Sequence, residues 1–377
     1  MRKVMKFFLL LTIIAMYSAC SNNSTQSDFD DTDPQRPIEQ PDDDPNPPGG
    51  SAATVITISG FSGNRVLTDG PADQAEFGFP RDLLMDDEWN LYISDSGNRA
   101  IRMMTPDGVV TTFAGTGEFG NEDGPRNEAT LGSPNQMVWH ENGDMYFTDR
   151  TTHFVRKISS DGIVSTIAGT GARSSVDGPV DRATFELPNG IVIDADGNIY
   201  VSDTGGNTIR MITPDGNVVT VAGSGEFGFA EGNARNAAFR WPGSMIMDGE
   251  GNIILSDIRN HMIRKLAPNG DVTVIAGTGE RGFADGEALQ AQFNDPGALL
   301  LADDGSIYVA DIRNHRIRKI SADGMVTTIA GTGEEGFTDG PALEATFNAP
   351  FGLAFDEDGN LFVSDLENNR IRKIIFE

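Results

Sequence analysis

The stretch N-I-Y-V-S-D-T-G-G-N-T-I-R-M-I-T-P-D-G-N-V-V-T-V-A-G, at residues 198–223, decides the fold because the chain repeats it at a constant spacing. Its aspartate returns every 54 residues with no insertion or deletion, at Asp95, Asp149, Asp203, Asp257, Asp311 and Asp365. A fixed period of this length indicates a repeat architecture, in which each copy is one supersecondary unit. Residues 54–377 therefore consist of six copies of one unit.

Each copy contains four short apolar runs separated by turn residues. In the third copy the runs are 190–194, 199–202, 208–212 and 218–222, and D-A-D-G-N and T-P-D-G-N join them in pairs. Short apolar runs with Asp-Gly or Asn-Gly at the tight connections predict an antiparallel meander. Six such sheets predict an all-β fold, a six-bladed β-propeller of four-stranded antiparallel blades.

The two ends of the repeat region predict how the ring closes. The last copy ends after its third strand, and the missing fourth strand, V-V-T-T-F-A in the first copy, matches residues 55–60 at a further step of 54 residues. The N-terminal strand should therefore complete the last blade and cover an exposed sheet edge.

Two strings carry a family resemblance. P-x-G-I-x-x-D-x-x-G-N-I-Y-V-S-D-x-x-N-H-x-I-R-K-I, best matched at 299–320 and 353–374, resembles the NHL repeat. The linking string A-G-T-G-x-x-G-x-x-D-G-P-A-x-x-A-x-F-x-x-P resembles the long-repeat NHL propellers common in bacteria. The resemblance covers 54–377 and implies a propeller of 54-residue NHL repeats.

Residues that recur at one position of the repeat are predicted to be scaffold. Each strand-ending Asp is followed seven residues later by an Arg, as in Asp203 and Arg210, and six catalytic dyads in one protein are implausible, so these pairs predict structural ion pairs. His153, His261 and His315 share one repeat position and would lie too far apart around a ring to bind one zinc ion. The linking-loop acids, such as Asp69, predict N-caps of a short helix, and the Phe residues that follow, such as Phe77, predict plugs between blades.

The first 53 residues predict export. Basic residues at 2, 3 and 6, an apolar run at 7–15 and the small-residue end Tyr17-Ser18-Ala19-Cys20 are typical of a secretory signal at 1–20, and this segment resembles a bacterial lipoprotein signal whose cysteine is lipidated. Residues 21–53, rich in Pro and Asp, predict a disordered acidic tether. Its acidity resembles the export signal of some surface lipoproteins, and a simple soluble linker is the alternative. We expect an outer-membrane lipoprotein, displayed at the cell surface or facing the periplasm and attached to the membrane through its lipid.

The charge of the repeat region excludes one class of partner. Without the signal and the tether, 48 Asp and Glu face 24 Lys and Arg, a net charge of −24. Eukaryotic NHL domains include nucleic-acid binders, but this charge would repel a phosphate backbone. The sequence therefore predicts no nucleic-acid partner.

Departures from the repeat indicate where a ligand would bind. The two residues after each linking-loop proline begin the innermost strand and should line the mouth of the central channel; they are polar in the first three copies and small or apolar in the last three. The candidate binding residues at this mouth are Arg81, Asp82, Asn135, Gln136, Asn189 and Phe351. Neutral drift at a solvated channel is the alternative explanation.

A second candidate surface lies in the loops at the same end. Basic residues stand there where the other copies have Gly, Thr, Ser, Leu or Glu, and aromatic residues lie beside the long loops. Arg and aromatic side chains on one face are typical interface anchors, although the Phe residues could instead be buried between blades. The candidate residues of this loop face are Arg150, Arg259, Arg313 and Trp241.

The residues favour a non-catalytic module that binds a protein or glycan at the loop face, as a monomer. No nucleophile or general base stands at matched spacing, so we predict no catalytic residues and no cofactor. The alternative, implied by resemblance to amidating lyases and calcium-dependent lactonases among six-bladed propellers, is a metal-dependent lyase or lactonase-like hydrolase with its site at the central channel. A divalent cation there would have Asp82, Asn135 and Asn189 as its ligands.

Overall fold

The computed structural model describes residues 53–377, which form six antiparallel sheets, one for each repeat. We number the blades from 1 to 6 by their innermost strands, which are Pro80–Met85, Pro134–Trp139, Pro188–Ile193, Pro242–Met247, Pro296–Leu301 and Pro350–Phe355. The second strands are Leu91–Asp95, Met145–Asp149, Ile199–Asp203, Ile253–Asp257, Ile307–Asp311 and Leu361–Asp365. The third strands are Ala100–Met104, Phe154–Ile158, Thr208–Ile212, Met262–Leu266, Arg316–Ile320 and Arg370–Phe376. The predicted six-bladed, all-β propeller is confirmed.

The outer part of each blade contains one strand more than predicted. The fourth strands are Val109–Ala114, Ile163–Ala168, Asn217–Ala222, Asp271–Ala276, Met325–Ala330 and, in blade 6, Ala53–Ser59. A short fifth strand follows in each sheet, at Gly70–Pro71, Gly124–Pro125, Gly178–Pro179, Gly232–Asn233, Gly286–Glu287 and Gly340–Pro341. Three 3-10 turns, Ser96–Asn98, Ile258–Asn260 and Ile312–Asn314, follow the second strands of blades 1, 4 and 5.

The N-terminal strand closes the ring as predicted, but one residue out of the predicted register. Ala53–Ser59 pairs antiparallel with Arg370–Phe376, so that Val55 lies opposite Ile374. In blade 1, the residue opposite Met104, which is the repeat equivalent of Ile374, is Val110. Val55 therefore corresponds to Val110, and the step at the closure is 55 residues rather than 54. Both valines are fully buried, and burial of this position decides the register.

The predicted helix in the linking loop is wrong. The chain after Asp69 is extended at Gly70–Pro71 and pairs with the fourth strand, and a single turn follows in which the Pro71 carbonyl accepts bonds from Gln74 and Ala75. Asp69 caps no helix; its carboxylate accepts the Thr112 amide at 3.0 Å and pairs with Arg102 at 2.6 Å. Gly70 has a φ of 137°, a conformation that side chains disfavour, so the Gly-Pro pair suits an edge strand better than a helix.

Buried ion pairs and aromatic plugs hold the blades together. Arg102 donates to Asp95 at 2.9 Å inside blade 1, and neither side chain is exposed. The predicted pairing recurs in all six blades, and burial raises the pKa of Asp95 to about 6 although Arg102 opposes this rise. Phe77 and its equivalents are fully buried in clusters shared by neighbouring blades, which confirms them as plugs.

The parts of the chain that predict export lie outside the described residues. These are the signal at 1–20 with Cys20 and the tether predicted at 21–53, except for its last residue, Ala53, which begins the first strand. Within residues 53–377, no helix is long and apolar enough to cross a membrane.

Candidate binding site at the channel mouth

The innermost strands contact one another around the axis of the ring, and their first residues lie at one end of it. In every blade two residues of the innermost strand bulge where it meets the end of the second strand, as between Pro242 and Met245 in blade 4. This bulge brings the residue after the loop proline against the residue after the strand-ending Asp, 15 positions later: a Cβ added to Gly243 would lie 2.6 Å from Ile258 Cδ1.

Each of the six blades contributes one such pair of residues, and we call the resulting twelve positions the mouth layer. The residues after the loop proline are Arg81, Asn135, Asn189, Gly243, Gly297 and Phe351. Their partners after the strand-ending Asp are Ser96, Arg150, Thr204, Ile258, Ile312 and Leu366.

The half of the mouth layer that belongs to blades 1–3 is polar and cationic. Arg81, Asn135, Arg150 and Asn189 are all buried, although Arg and Asn are usually exposed. Hydroxyl groups of the second strands hold the backbone here: Thr148 Oγ1 donates to the Asn189 carbonyl at 2.6 Å. The backbone at the start of the innermost strand of blade 3 is therefore held by blade 2.

Asn135 is the least satisfied residue of this layer. Its side chain has no exposure to solvent, and neither Oδ1 nor Nδ2 has a hydrogen-bond partner. Leaving buried polar atoms unpaired costs about 1–3 kcal/mol for each group, so such residues are uncommon and need an explanation. A ligand that supplies one donor and one acceptor would remove this cost.

The half that belongs to blades 4–6 is apolar. Glycine follows the loop proline in blades 4 and 5, and Ile258 and Ile312 fill the space that these glycines leave. Phe351 and Leu366 complete this half, and all four apolar side chains are buried. The two halves meet where the Arg81 guanidinium lies over the Phe351 ring, at 5.2 Å from its centroid.

The next residue along each innermost strand links the blades to one another. Asp82 Oδ2 accepts the Met137 amide of blade 2 at 2.8 Å, and burial raises the pKa of Asp82 to about 7, although this hydrogen bond opposes the rise. Gln136 reaches further: its Oε1 accepts from the Ile191 amide at 3.3 Å and its Nε2 donates to the Met245 carbonyl at 2.7 Å. Backbone groups of blades 3 and 4 thus occupy the Gln136 amide, which cross-links the ring.

The arginines assigned to the loop face occupy two different positions. Arg150 directly follows its strand-ending Asp and is buried in the mouth layer, whereas Arg259 and Arg313 stand one residue later and are half-buried. Arg259 pairs with the buried Asp295 of the next blade at 3.1 Å, and its guanidinium lies 5.2 Å from the Trp241 ring centroid. These contacts make Arg259 and Trp241 part of a blade junction as well as of the surface.

The aromatic residues of the long loops stay partly exposed. Phe119, Phe227, Phe229 and Phe337 are each about half exposed or more, and arginines stack on them, as Arg370 does on Phe337 at 3.9 Å. The alternative that the loop Phe residues are buried between blades therefore does not hold for these four.

The repeated histidines are scaffold. His153, His261 and His315 each accept, through Nδ1, a backbone amide of the following blade, those of Leu187, Asp295 and Ala349. Burial lowers the pKa of His261 to about 4, so it remains neutral and able to accept this bond. Within residues 53–377 no three His, Cys, Asp or Glu side chains converge as a metal-binding group.

The three residues suggested as cation ligands do not occupy the same position of the repeat. Asn135 and Asn189 directly follow their loop prolines, whereas Asp82 is one residue further along its strand and already bonds Met137. Binding of a divalent cation by these three residues stays a prediction.

Sequence reasoning did not place the six positions that follow the strand-ending Asp in the mouth layer. Ile258, Ile312 and Leu366 follow the strand-ending Asp, where the other three blades have Ser96, Arg150 and Thr204. The signal was present as a departure from the repeat that divides the copies into the same two halves. It was hidden because the bulge that brings the two positions together has no sequence signature.

Comparison with known proteins agrees with this fold. Residues 66–225 match the family model described as SMP-30/Gluconolactonase/LRE-like region. The Arabidopsis thaliana protein SUPPRESSOR OF QUENCHING 1, chloroplastic, is 30% identical over 284 residues, which cover 70% of this chain and 27% of that protein. NHL repeat-containing protein 2 of Bos taurus is 28% identical over 344 residues, which cover 79% of this chain and 47% of that protein. The chain thus spans less than half the length of these two relatives.

A solved structure shows the same fold. An auxiliary nutrient binding protein of Bacteroides thetaiotaomicron superimposes with a TM-score of 0.67 at 19% identity, over 87% of this chain and 77% of that one. At this identity the likeness concerns the fold alone.

Proposed function

The chain belongs to the SGL/NHL-like six-bladed β-propeller family, and we propose that it is a non-catalytic module that binds a protein or glycan at the end of the ring that holds the mouth layer. The observation that carries the proposal is Asn135, a buried side chain with two unpaired polar atoms at the centre of the cationic half. Arg259, Arg313 and Trp241 extend the same end of the ring outward. The name of the Bacteroides neighbour, a nutrient binding protein, is consistent with a binding role.

The division of the mouth layer indicates how one ligand would bind. Groups that accept hydrogen bonds would face Arg81, Arg150 and Asn189, and carbon-rich groups would face Ile258 and Ile312. Sites with a few placed polar groups and an apolar wall are typical of ligand binding. The ring around them is held by buried ion pairs, so the site is preformed and little binding energy is spent on ordering it.

The test is binding of the full chain to an array of glycans and envelope proteins. We expect hits that weaken about tenfold when Asn135 is replaced by Gly, the residue that blades 4 and 5 carry at this position, because about 1.4 kcal/mol corresponds to one decade in affinity. Arg259→Ala and Arg313→Ala should weaken the hits that contact the loops. Lys319→Ala, near the opposite end of blade 5, is the control and should change none. Hits that ignore all three mouth and loop variants would refute the assignment of this end.

The alternative function is a metal-dependent lyase or lactonase, and the match of residues 66–225 to the SMP-30/Gluconolactonase/LRE-like family is the observation in its favour. Its centre would be Asp82, a buried carboxyl close to the axis. Calorimetric titration with calcium and zinc, together with elemental analysis of the purified protein, tests it. Heat that disappears in Asp82→Asn would favour this function over simple binding.

The proposal includes export and attachment through Cys20. Labelling with a fatty-acid analogue should mark the wild-type chain in its host and leave Cys20→Ser unlabelled and released from the membrane fraction. A Cys20→Ser chain that stays in the membrane fraction would contradict lipid anchoring.

A further inference from the structure

A cavity lies between blades 1 and 2, at the end of the ring opposite the mouth layer. It has a volume of about 200 Å³, and it is lined by Tyr92, Phe113, Arg126 and Trp139 and by the turn at Ser159 and Ser160. Trp139 is the last residue of the innermost strand on which Asn135 is the second, so the whole length of that strand separates the two sites.

Three aromatic rings form the wall of this cavity. Tyr92 meets Phe113 edge to face, with ring centroids 4.9 Å apart, and meets Trp139 in the same manner at 5.1 Å. The Arg126 guanidinium lies over the Phe113 ring at 4.4 Å. Trp139 Nε1 is shielded from solvent and has no hydrogen-bond partner. A buried Trp N–H usually has one.

These side chains depart from the repeat at one blade junction. Where blade 1 has Phe113, the other blades have only aliphatic residues, at Ile58, Ile167, Val221, Ile275 and Ile329. Where the second copy has Arg126, the other copies have Ala or Val, at Ala72, Val180, Ala234, Ala288 and Ala342. Trp139 replaces Met, Ile, Leu or Phe. None of the three is needed to build a blade, because five other blades do without them.

The charges around the cavity favour a neutral ligand. Asp144 follows Gly143, which also lines the cavity, and pairs with Lys157 at 2.8 Å; Asp161 follows Ser160. Asp86 lies close enough to Tyr92 to raise the pKa of its hydroxyl further than burial alone does. These acids beside the cavity would oppose an anion, and the exposed Arg126 that lines it would oppose a cation.

We propose that this cavity binds a single neutral sugar ring. The faces of a pyranose carry C–H groups that pack on the rings of Phe113 and Trp139, and its rim carries oxygen atoms that accept from Trp139 Nε1 and from Arg126. The volume fits one ring and no more, because sites for drug-sized ligands start at about 300 Å³. This site is independent of the mouth layer and does not rest on the function proposed for it.

The repeat itself supplies the test variants. Arg126→Ala, Phe113→Ile and Trp139→Met each introduce a residue that another blade already carries at the same position, so each variant should fold. The probes are D-glucose, D-galactose, D-mannose and N-acetyl-D-glucosamine, applied at millimolar concentration to the full chain and followed by saturation-transfer NMR and tryptophan fluorescence.

We expect at least one of these sugars to bind, with an affinity that falls about tenfold in Arg126→Ala and further in the triple variant. Binding should shift the fluorescence of the wild type but not that of Trp139→Met, and Lys319→Ala in blade 5, which lines neither the cavity nor the mouth layer, should bind as the wild type does. The proposal is overturned if no sugar binds, if the triple variant binds unchanged, or if benzoate, an anionic aromatic probe, binds in preference to every sugar.

Discussion

Gln136 of blade 2 bonds Met245 of blade 4 through both ends of its side-chain amide, passing the intervening blade 3. Its Oε1 accepts the Met245 amide at 3.1 Å and its Nε2 donates to the Met245 carbonyl at 2.7 Å. The path is open because blade 3 has Gly190 at this point, where an added Cβ would lie 3.0 Å from Gln136 Oε1 and would clash with the Gly243 carbonyl.

Replacing Gln136 by Ala should therefore destabilise the ring. The substitution leaves the Met245 amide and carbonyl and the Ile191 amide without their side-chain partner, and an unpaired buried backbone group costs about 1–3 kcal/mol. We expect a loss of about 2 kcal/mol or more in the free energy of unfolding, measured by urea denaturation. Gly190→Ala should be at least as damaging through its clash with blade 4. A Gln136→Ala protein within about 0.5 kcal/mol of the wild type would show that the bridge carries no stability.

The buried ion pairs should be far more important than the exposed ones. Arg210→Ala removes the cation that pairs with Asp203 at 2.9 Å and leaves a carboxylate in the core, which typically costs about 3–5 kcal/mol. Arg173→Ala is the matched control, because the pair of Arg173 with Glu186 lies at the surface and should contribute under about 1 kcal/mol. Equal losses of unfolding free energy in the two variants would contradict this order.

Sequence reasoning succeeded where a fixed spacing links two residues of every copy, and it failed where one local pattern allows two structures or where a contact joins distant blades. An Asp and an Arg recur in every copy at the spacing of Asp203 and Arg210, so this pairing could be predicted from the sequence. The helix after Asp69 was wrong because Asp-Gly-Pro is compatible both with a helix start and with an edge strand, and pairing with the fourth strand decides between them. The contact between Gln136 and Met245 depends on the curvature of the ring, which no local pattern encodes.

The free energy of unfolding should depend on pH through Asp82, and Asp82→Asn should remove this dependence. Burial raises the pKa of Asp82 in the folded state to about 7, against about 3.9 in the unfolded chain. Between these values the folded state binds one proton more than the unfolded state, so the free energy of unfolding falls as pH rises from about 4 to about 7. Three pKa units correspond to at most about 4 kcal/mol.

Urea denaturation of both proteins at pH 5 and pH 8 measures this effect. We expect the stability advantage of Asp82→Asn over the wild type to be larger at pH 8 than at pH 5, because the asparagine never ionises whereas the loss in the wild type grows until about pH 7. The remaining buried aspartates are common to both proteins and cancel in the difference. A difference that is the same at both pH values would place the Asp82 carboxylate in a solvated environment instead.

The register of the closing strand can be tested with one charge placed at two adjacent positions. If Val55 corresponds to Val110, its side chain is fully buried between blades, and Val55→Asp should abolish cooperative thermal unfolding because an unpaired carboxylate enters the core. If it corresponded to Val109, which is 40% exposed, the same charge would be tolerated. Ile56 is half-buried on the other face of the strand, so Ile56→Asp should lower the melting temperature by only a few degrees. Removal of residues 53–59 should expose the edge of Arg370–Phe376 and cause aggregation, because an uncovered strand pairs with other chains. A Val55→Asp protein that melts as the wild type does would support a step of 54 residues at the closure instead of 55.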